Sequence, residues 1–433
     1  MRDPMNFAGG VSSSELESTT KALPGRDGHG TIVLRFVLFW PPRPAEFAHC
    51  FRAGASEVRV VPPSASFPTI GVLELGTSGG RRLAWDCNGW YWPGMTSKHS
   101  KGMMSIASFA APARNARRPS SLRGALRQKL FGVSIRETSF ARRGFRSHSA
   151  ATRARLESIG GIFLVGYHAG LAADRSESLA AELDSVVLAD RGFAFEGAGM
   201  ALALLDRVTP WRRNRFAHFV EGVAAPHVYM AHIGAGWALA RLGRRFAPAT
   251  LPFDPLMRWL VIDGFGFHEG YFATRRAVDA LHRPSWLCDY ATCAFDQGLG
   301  RSLWFIEGGD DAAITRRIAR FPADRRADLW SGVGLAATYA GGVADATLVA
   351  LREASGEHLL DLAQGAAFAA QARVRACNSA PHTDAACNVF THRSATAAAT
   401  LTDQALAQAG DPAASSTYEN WRRGVRERLA AAS

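Results

Sequence analysis

RGFAFEGAGMALALLD (191–206) and DGFGFHEGYFATRRAVD (263–279) share a pattern of glycines and aromatic residues that recurs along the chain. Each copy is followed first by an F-x-E-G block and then by a G-x-G-x-A block, so three blocks recur in one order. Shared order as well as shared composition indicates an internal duplication, with repeat units at about 191–243 and 263–342. We expect two helical units that bury their faces against each other, with a ligand cleft between them.

Helical periodicity extends over the sequence from residue 126 to residue 433. Apolar residues at i, i+3, i+4 and i+7 mark one face of a helix, and this spacing predicts a mainly α fold with one large helical domain over 126–433. The segments that carry it are 176–190, 197–208, 234–246, 311–321, 326–343, 356–376, 394–409 and 417–432.

Residues 1–125 have a different texture and mix Gly, Pro and Ser with isolated aromatic residues. They show no sustained helical or strand period, apart from the run EVRVV (57–61), which predicts a strand. We therefore expect a largely irregular segment without a packed core. A native start near Met103 or Met104 would also explain the change of texture, and truncation there should then leave folding intact.

The net charge of +12 is concentrated in one part of the chain. Between Arg114 and Arg155 there are twelve basic residues against one acid, Glu137, whereas the rest of the chain is close to balanced. Concentrated charge without a nucleic-acid recognition motif argues against a nucleic-acid partner. The chain also lacks an apolar run long enough to span a membrane and a secretory signal, so we expect a cytoplasmic location.

The segment GFGFHEGYF (264–272) places His268 next to Glu269 in an aromatic setting. A histidine and a carboxylate are a usual proton-transfer pair, and apolar surroundings shift their pKa values into a useful range. The matching block of the first repeat carries Glu196 and no histidine, and Glu196 is the third candidate catalytic residue. The alternative is structural, a buried histidine that is hydrogen-bonded to the backbone.

Histidines and aromatic residues near the repeated blocks are candidates for contact with a substrate. His227 and His232 are five residues apart, about 140° around a helix, which does not suit a shared metal ion. We predict no metal site and assign no cofactor. Trp237, Tyr271 and Trp330 would line the cleft, although aromatic residues at helical spacing more often belong to a core.

Two further carboxylates, Glu221 and Glu307, occupy the same position in the two F-x-E-G blocks. Facing one cleft they would act as acid and base, but ion pairs with nearby arginines are the favoured interpretation. The sequence has no dinucleotide-binding glycine motif after a strand, no P-loop, no nucleophile elbow, no HExxH and no DDxxD. The common nucleotide-dependent and hydrolytic classes are therefore disfavoured.

Several longer segments resemble one known family: LFGVSIRETSFARRGF (130–145), GYHAGL (166–171), HVYMAHIGAGWALARL (227–242), DPLMRWLVIDGFGFHEGYF (254–272) and RFPADRRADLWSGVGLAATYAGG (320–342). They resemble the uncharacterised enediyne biosynthesis proteins, which contain the domain of unknown function 1702, from about residue 130 to the C-terminus. The resemblance implies an accessory protein that acts beside an iterative polyketide synthase making a polyene precursor. It supplies no set of catalytic residues.

The expected function is binding of a long unsaturated polyketide or polyene intermediate in an apolar cleft, with assistance to its folding, cyclisation or oxidation. A polyketide synthase or a redox protein would be the protein partner. Two alternatives are a non-catalytic helical-repeat scaffold that docks such a partner, and a terpene-like cyclase that acts on a polyene. A catalyst requires an enclosed pocket with convergent histidine and carboxylate groups, whereas a scaffold would present an exposed groove.

Overall fold

The computed structural model describes two stretches of the chain in different detail. Up to residue 120 it describes the backbone of four strands, and from 121 to 431 it describes every residue except 148, 210, 212–213, 244–252 and 288. The chain divides into two compact units, Met1–Ser97 and Lys98–Ser433. The other residues up to 120, for which the sequence predicts irregular structure, lie outside the described residues.

The first unit contains a four-stranded antiparallel sheet whose strands follow one another in chain order. Its first strand coincides with the run EVRVV (57–61), from which a strand was predicted. Its three partners were not predicted, because runs of three to five residues carry too little alternation to be told from a loop. The strands are β1 Val58–Val61, β2 Gly71–Leu75, β3 Arg82–Asp86 and β4 Gly89–Tyr91.

The second unit is helical, which confirms the predicted mainly α fold, and each of the eight segments with a helical period overlaps a helix. Within the described residues its helices are α1 Leu122–Phe131, α2 Phe140–Arg143, α3 Ala150–Ala172, α4 Ser176–Asp184, α5 Arg191–Val208, α6 Arg215–Glu221, α7 Val228–Arg241, α8 Arg258–Phe272, α9 Tyr290–Ile306, α10 Asp311–Ala319, α11 Ala323–Ala340, α12 Asp345–Ser355, α13 Leu359–Arg375, α14 Pro381–Thr391, α15 Ala395–Ala407 and α16 Thr417–Ala430.

Glycines set the distance between the long helices. The helices α5, α7, α8, α9 and α11 each contain one G-x-G sequence, whose first glycine faces the preceding long helix and whose second faces the following one. In α9, a Cβ on Gly298 would lie 1.8 Å from the carbonyl oxygen of Asp263, and one on Gly300 would lie 2.1 Å from that of Leu329. Only glycine allows such an approach, so neighbouring helices cross in direct backbone contact. The five sequences are at 197–199, 234–236, 264–266, 298–300 and 332–334.

One further helix packs in the same way at each end of this series of five helices, through a glycine in direct contact with a neighbouring backbone. Gly166 of α3 faces the backbone of α5, and Gly365 of α13 faces the backbone of α11. The two predicted repeat units, 191–243 and 263–342, span α5–α7 and most of α8 through α11, and inside them the structure shows a shorter period of one long helix. The G-x-G at 298–300 lies between the compared blocks, which is why sequence comparison resolved two copies.

A buried arginine fixes the C-terminal helix α16 on this series. Arg422 is 1% exposed and donates to Asp328 Oδ1 at 2.7 Å and to the Tyr290 hydroxyl at 2.9 Å. Its Nε donates to Gln364 Oε1 at 2.9 Å, and that oxygen also accepts from the hydroxyl of Ser331. One side chain therefore ties α16 to α9, α11 and α13.

Candidate functional site

A cavity of about 480 Å³ lies between six helices of this series. The helices α3, α5, α7, α8, α9 and α11 line it, together with the segment 132–138 that precedes α2. In α7, α8, α9 and α11, the lining side chains come from the C-terminal half of the helix. The size is within the usual range for sites that bind small molecules.

The lining positions recur with the same period as the glycines. The third residue after the first glycine of each G-x-G faces the cavity in all five helices, and the seventh does so in four of them. Residues spaced by three or four lie on one helix face, so one short sequence element specifies both the helix crossing and the cavity wall. The third residues are Met200, Trp237, Phe267, Arg301 and Leu335, and the seventh are Arg241, Tyr271, Phe305 and Tyr339.

Trp237 is the centre of an aromatic wall. Its ring centroid lies 4.8 Å from that of Phe163, 5.0 Å from that of Phe267 and 5.9 Å from that of Tyr271. The sequence analysis expected Trp237 and Tyr271 in a cleft, and both line this cavity. Aromatic faces pack well against flat apolar groups and carry a partial negative charge that attracts cations, so this wall suits an unsaturated apolar ligand.

A buried ion pair lies at one side of the cavity. Arg301 lines the cavity and is 4% exposed, and its Nη1 donates to Asp263 Oδ1 at 2.5 Å. The other oxygen of Asp263 accepts from Gln297 Nε2 at 2.9 Å, so the carboxylate is held on both sides. Burial alone would lower the pKa of Arg301, but Asp263 and Glu196 raise it above its usual value. A permanent positive charge is therefore fixed at the cavity wall.

Glu196 is a second buried acid and lines the cavity directly. It is 2% exposed, and burial raises the pKa of Glu196 to about 7, against the opposing effect of Arg301. Its Oε1 accepts no hydrogen bond of normal geometry from the described residues, although the Trp237 indole is near enough to lower the pKa. Near neutral pH this carboxyl group therefore exists in both protonation states, as a general acid requires.

His268 lines the same cavity, but its sequence neighbour Glu269 does not. The Nδ1 of His268 is 3.6 Å from Glu269 Oε1, and burial lowers the pKa of His268 despite that carboxylate. Burial alone would raise the pKa of Glu269, but His268 and Arg276 lower it overall. Glu269 faces a second cavity of about 360 Å³ and is ion-paired with Arg276, so its link to the first cavity runs through His268.

His227, His232 and Trp330 lie away from this cavity. His227 stacks on Phe195 with ring centroids 4.0 Å apart, and Nδ1 of His232 is 2.8 Å from the carbonyl oxygen of Val228. Burial lowers the pKa of both histidines to about 4, so both are neutral at physiological pH. Trp330 is 3% exposed. These three residues are buried core residues of the described part of the chain.

The two F-x-E-G glutamates do not share a site. Glu307 is buried and accepts from Arg317 Nε at 2.6 Å, which agrees with the favoured interpretation of an ion pair. Glu221 is exposed at the end of α6. They therefore do not form an acid–base pair.

Sequence reasoning missed Arg301 and Asp263. Both have a position that the repeats define, since Arg301 is the third residue after the first glycine of its G-x-G and Asp263 immediately precedes one. Glu196 immediately precedes Gly197, and Asp263 immediately precedes Gly264. Both glycines are the first of their G-x-G and face the preceding long helix, so the position of Glu196 in the repeat corresponds to that of Asp263 and not to that of Glu269. Comparison of all five G-x-G sequences would have shown this relation.

Glu196→Gln should make the protein more stable at pH 8 but not at pH 4.5. The folded-state pKa of Glu196 is about 7 and the ordinary value is 4.5, so wild-type stability from this group is full below pH 4.5 and falls as pH rises to 7. Gln cannot ionise, and the difference should reach about 3 kcal/mol above pH 7. Urea unfolding at both pH values measures it.

The pH dependence of the buried histidines has the opposite sign. Burial lowers the pKa of His227, His232 and His382 to about 4, so their contribution to stability is lost as pH falls from 6.5 to 4. They are unchanged in the Glu196 variant, and the difference between the two proteins isolates Glu196. An equal effect of the substitution at both pH values would contradict the raised pKa of Glu196.

Fold and site together define a mainly α protein with a largely apolar cavity between its helices, lined by one acid able to exchange a proton near neutral pH. Residues 122–429 match a protein family described as a protein of unknown function (DUF1702), and the chain belongs to that family. Comparison with curated proteins and with solved structures finds no match. Among the described residues, no helix has the length and apolar character of a membrane span, and no three metal-ligating side chains cluster.

Proposed function

We propose that this protein binds an elongated, largely apolar and unsaturated intermediate of polyene or polyketide type in the cavity and catalyses a proton transfer on it. The observation that carries the proposal is the buried carboxyl group of Glu196, which has a pKa of about 7 and faces an aromatic wall. The resemblance to enediyne biosynthesis proteins supports the substrate class, and the family match is compatible with it.

Two residues that line the cavity transfer protons in this reaction: Glu196 donates a proton to the ligand, and His268 accepts one from it. Protonated Glu196 donates its proton to one carbon of a C=C bond, whose π electrons form the new C–H bond and leave a cation on the neighbouring carbon. Arg301 stabilises the carboxylate that Glu196 becomes, and the faces of Trp237 and Phe267 stabilise the cation.

The cation is then discharged without an oxidant. In a cyclisation, a second C=C bond first attacks the cation, which closes a ring and moves the positive charge to the far carbon of that bond. With or without this step, the cation loses a proton from an adjacent carbon to the neutral imidazole of His268. The electron pair left on that carbon forms a new C=C bond, and the proton returns from His268 to Glu196 through solvent. The net reaction is an isomerisation or cyclisation, which is the protonation-driven form of a terpene-like cyclase.

Glu196→Gln should abolish this conversion without unfolding the protein. General acid catalysis contributes about 10²- to 10⁴-fold to a rate, and Gln has no proton of suitable acidity to donate. The full chain would be co-expressed with a synthase that makes a linear polyene, and the loss of long-wavelength absorbance would report the shortened conjugation.

Glu353→Gln is the matched control, because Glu353 is exposed on α12. We expect the control to convert the polyene like the wild type, and His268→Asn to slow the conversion. A folded Glu196→Gln variant with an unchanged rate would refute the proton-transfer proposal.

A non-catalytic scaffold is the second candidate function, and one observation favours it. Leu122, Leu126 and Leu130 recur every fourth residue on α1 and are 92%, 57% and 64% exposed. Such a row suits the docking of a partner protein, for example a synthase. If docking is the function, replacing the three leucines with Ser abolishes co-purification with the synthase, while Glu196→Gln changes nothing.

A further inference from the structure

A third, small cavity lies behind one wall of the first. It has a volume of about 30 Å³ and is lined by side chains of α7, α8, α11, α13 and α16. Leu335 and Tyr339 of α11 line both cavities, so these two side chains stand between them. The other lining residues are almost all apolar and include Met230, Ile233, Leu260, Phe368 and Trp421.

The small cavity continues the repeat pattern of the large one. Leu335 is the third residue after Gly332, and Phe368, the third residue after Gly365 on α13, lines the small cavity. The same helical position therefore faces the large cavity from α5 to α11 and the small one on α13. The small cavity is thus an extension of the lining series, closed off at α11.

Tyr339 is held firmly in this wall. Its ring meets Phe193 edge to face at 5.2 Å, and the guanidinium carbon of Arg373 lies 4.2 Å from the ring centroid. Gly192 leaves room for the hydroxyl group, because a Cβ there would lie 2.0 Å from the hydroxyl oxygen. Leu335 has only apolar packing to hold it, so it is the wall residue that substitution can alter with the least disturbance.

We propose that Leu335, supported by Tyr339, is the end wall that limits the length of the apolar chain the large cavity accepts. This inference rests on the proposed function for the class of ligand. A volume of about 30 Å³ is the space of one water molecule or one methylene group. Leu335→Ala removes three side-chain carbon atoms and should join the two cavities. The space of these three carbons and of the small cavity together should let the accepted chain lengthen by roughly four carbons.

The experiment uses the purified full chain and neutral probes. Diphenylhexatriene, a rigid apolar polyene that fluoresces in apolar surroundings, would be displaced by straight-chain primary alcohols of increasing length. Affinity should rise about fourfold for each added methylene group that is buried, and stop rising when the chain reaches the wall. Leu335→Ala should move that limit to longer chains by roughly four carbons, and Leu335→Phe to shorter ones.

Leu205→Ala is the matched control, because Leu205 is 1% exposed and lines neither cavity. This substitution causes the same loss of packing but leaves the wall between the cavities unchanged. If Leu335→Ala does not fold, Leu335→Val should move the limit by about one carbon. An unchanged limit in a folded Leu335 variant that binds the probes overturns the end-wall assignment alone. Failure of the wild type to bind diphenylhexatriene or any alcohol overturns the proposed ligand class, and the end wall with it.

Discussion

Gly298→Ala should prevent the helical unit from folding. The new Cβ would lie 1.8 Å from the carbonyl oxygen of Asp263, and backbone atoms on both sides of the α8–α9 crossing leave no side chain that can turn away. The helices would have to separate, and the loss of this crossing would also move Asp263 from Arg301. We expect a loss of more than about 5 kcal/mol, visible as lost helical circular dichroism or as inclusion-body expression.

Gly161→Ala is the control for helix propensity. Gly161 lies in α3, and the nearest atom to a Cβ there is Cδ1 of Ile135 at 3.6 Å, which is ordinary contact. Alanine should therefore stabilise this helix by up to about 1 kcal/mol. Equal stability of the two variants would show that backbone contact does not set the helix spacing.

Arg422→Met should cost about 3 to 5 kcal/mol in the free energy of unfolding. Arg422 is fully enclosed and bonded to Asp328, Gln364 and Tyr290, so its removal leaves a buried carboxylate and two buried polar groups with fewer partners. The apolar part of Met fills similar space, which separates the lost charge from lost packing. Urea unfolding monitored by circular dichroism measures the effect.

Two further variants test the cause of that loss. Arg423→Met alters the next residue, whose side chain is 57% exposed and 3.7 Å from Glu427, and should change stability by less than about 0.5 kcal/mol. Adding Asp328→Asn to Arg422→Met should recover part of the loss, because the uncompensated buried charge is gone. No recovery would mean that the arginine acts through its packing and not through its charge.

The helices were predictable because their apolar period is local to each segment, as in 326–343 and 394–409. Part of the cavity was predictable for the same reason: Glu196, Trp237, His268 and Tyr271 lie near repeated blocks and do line it. Their partners were not, because the pairing of Arg301 with Asp263 depends on which helices are neighbours.

The sequence also did not indicate which side chains of a helix point into the cavity. His232 and Trp237 lie on the same helix, and five residues separate their side chains by about 140°. Trp237 lines the cavity, whereas His232 packs edge to face against Phe216 with ring centroids 5.1 Å apart. The directions of the α7 side chains follow from its two glycine contacts. Gly234 marks the face that meets α5 and Gly236 the face that meets α8, and the remaining inward face lines the cavity.

Different residues set the helix spacing and line the cavity: glycines do the first and the residues that follow them do the second. This separation affects how members of the family can differ in the ligands they bind. Backbone contact between the helices sets their spacing, so the third and seventh residues after the first glycine of each G-x-G can be exchanged without changing the crossings. Eight of these nine side chains could then be varied independently, the exception being Arg301 with its buried partner Asp263. New ligand shapes would become accessible by single substitutions, while the architecture that presents them is inherited intact.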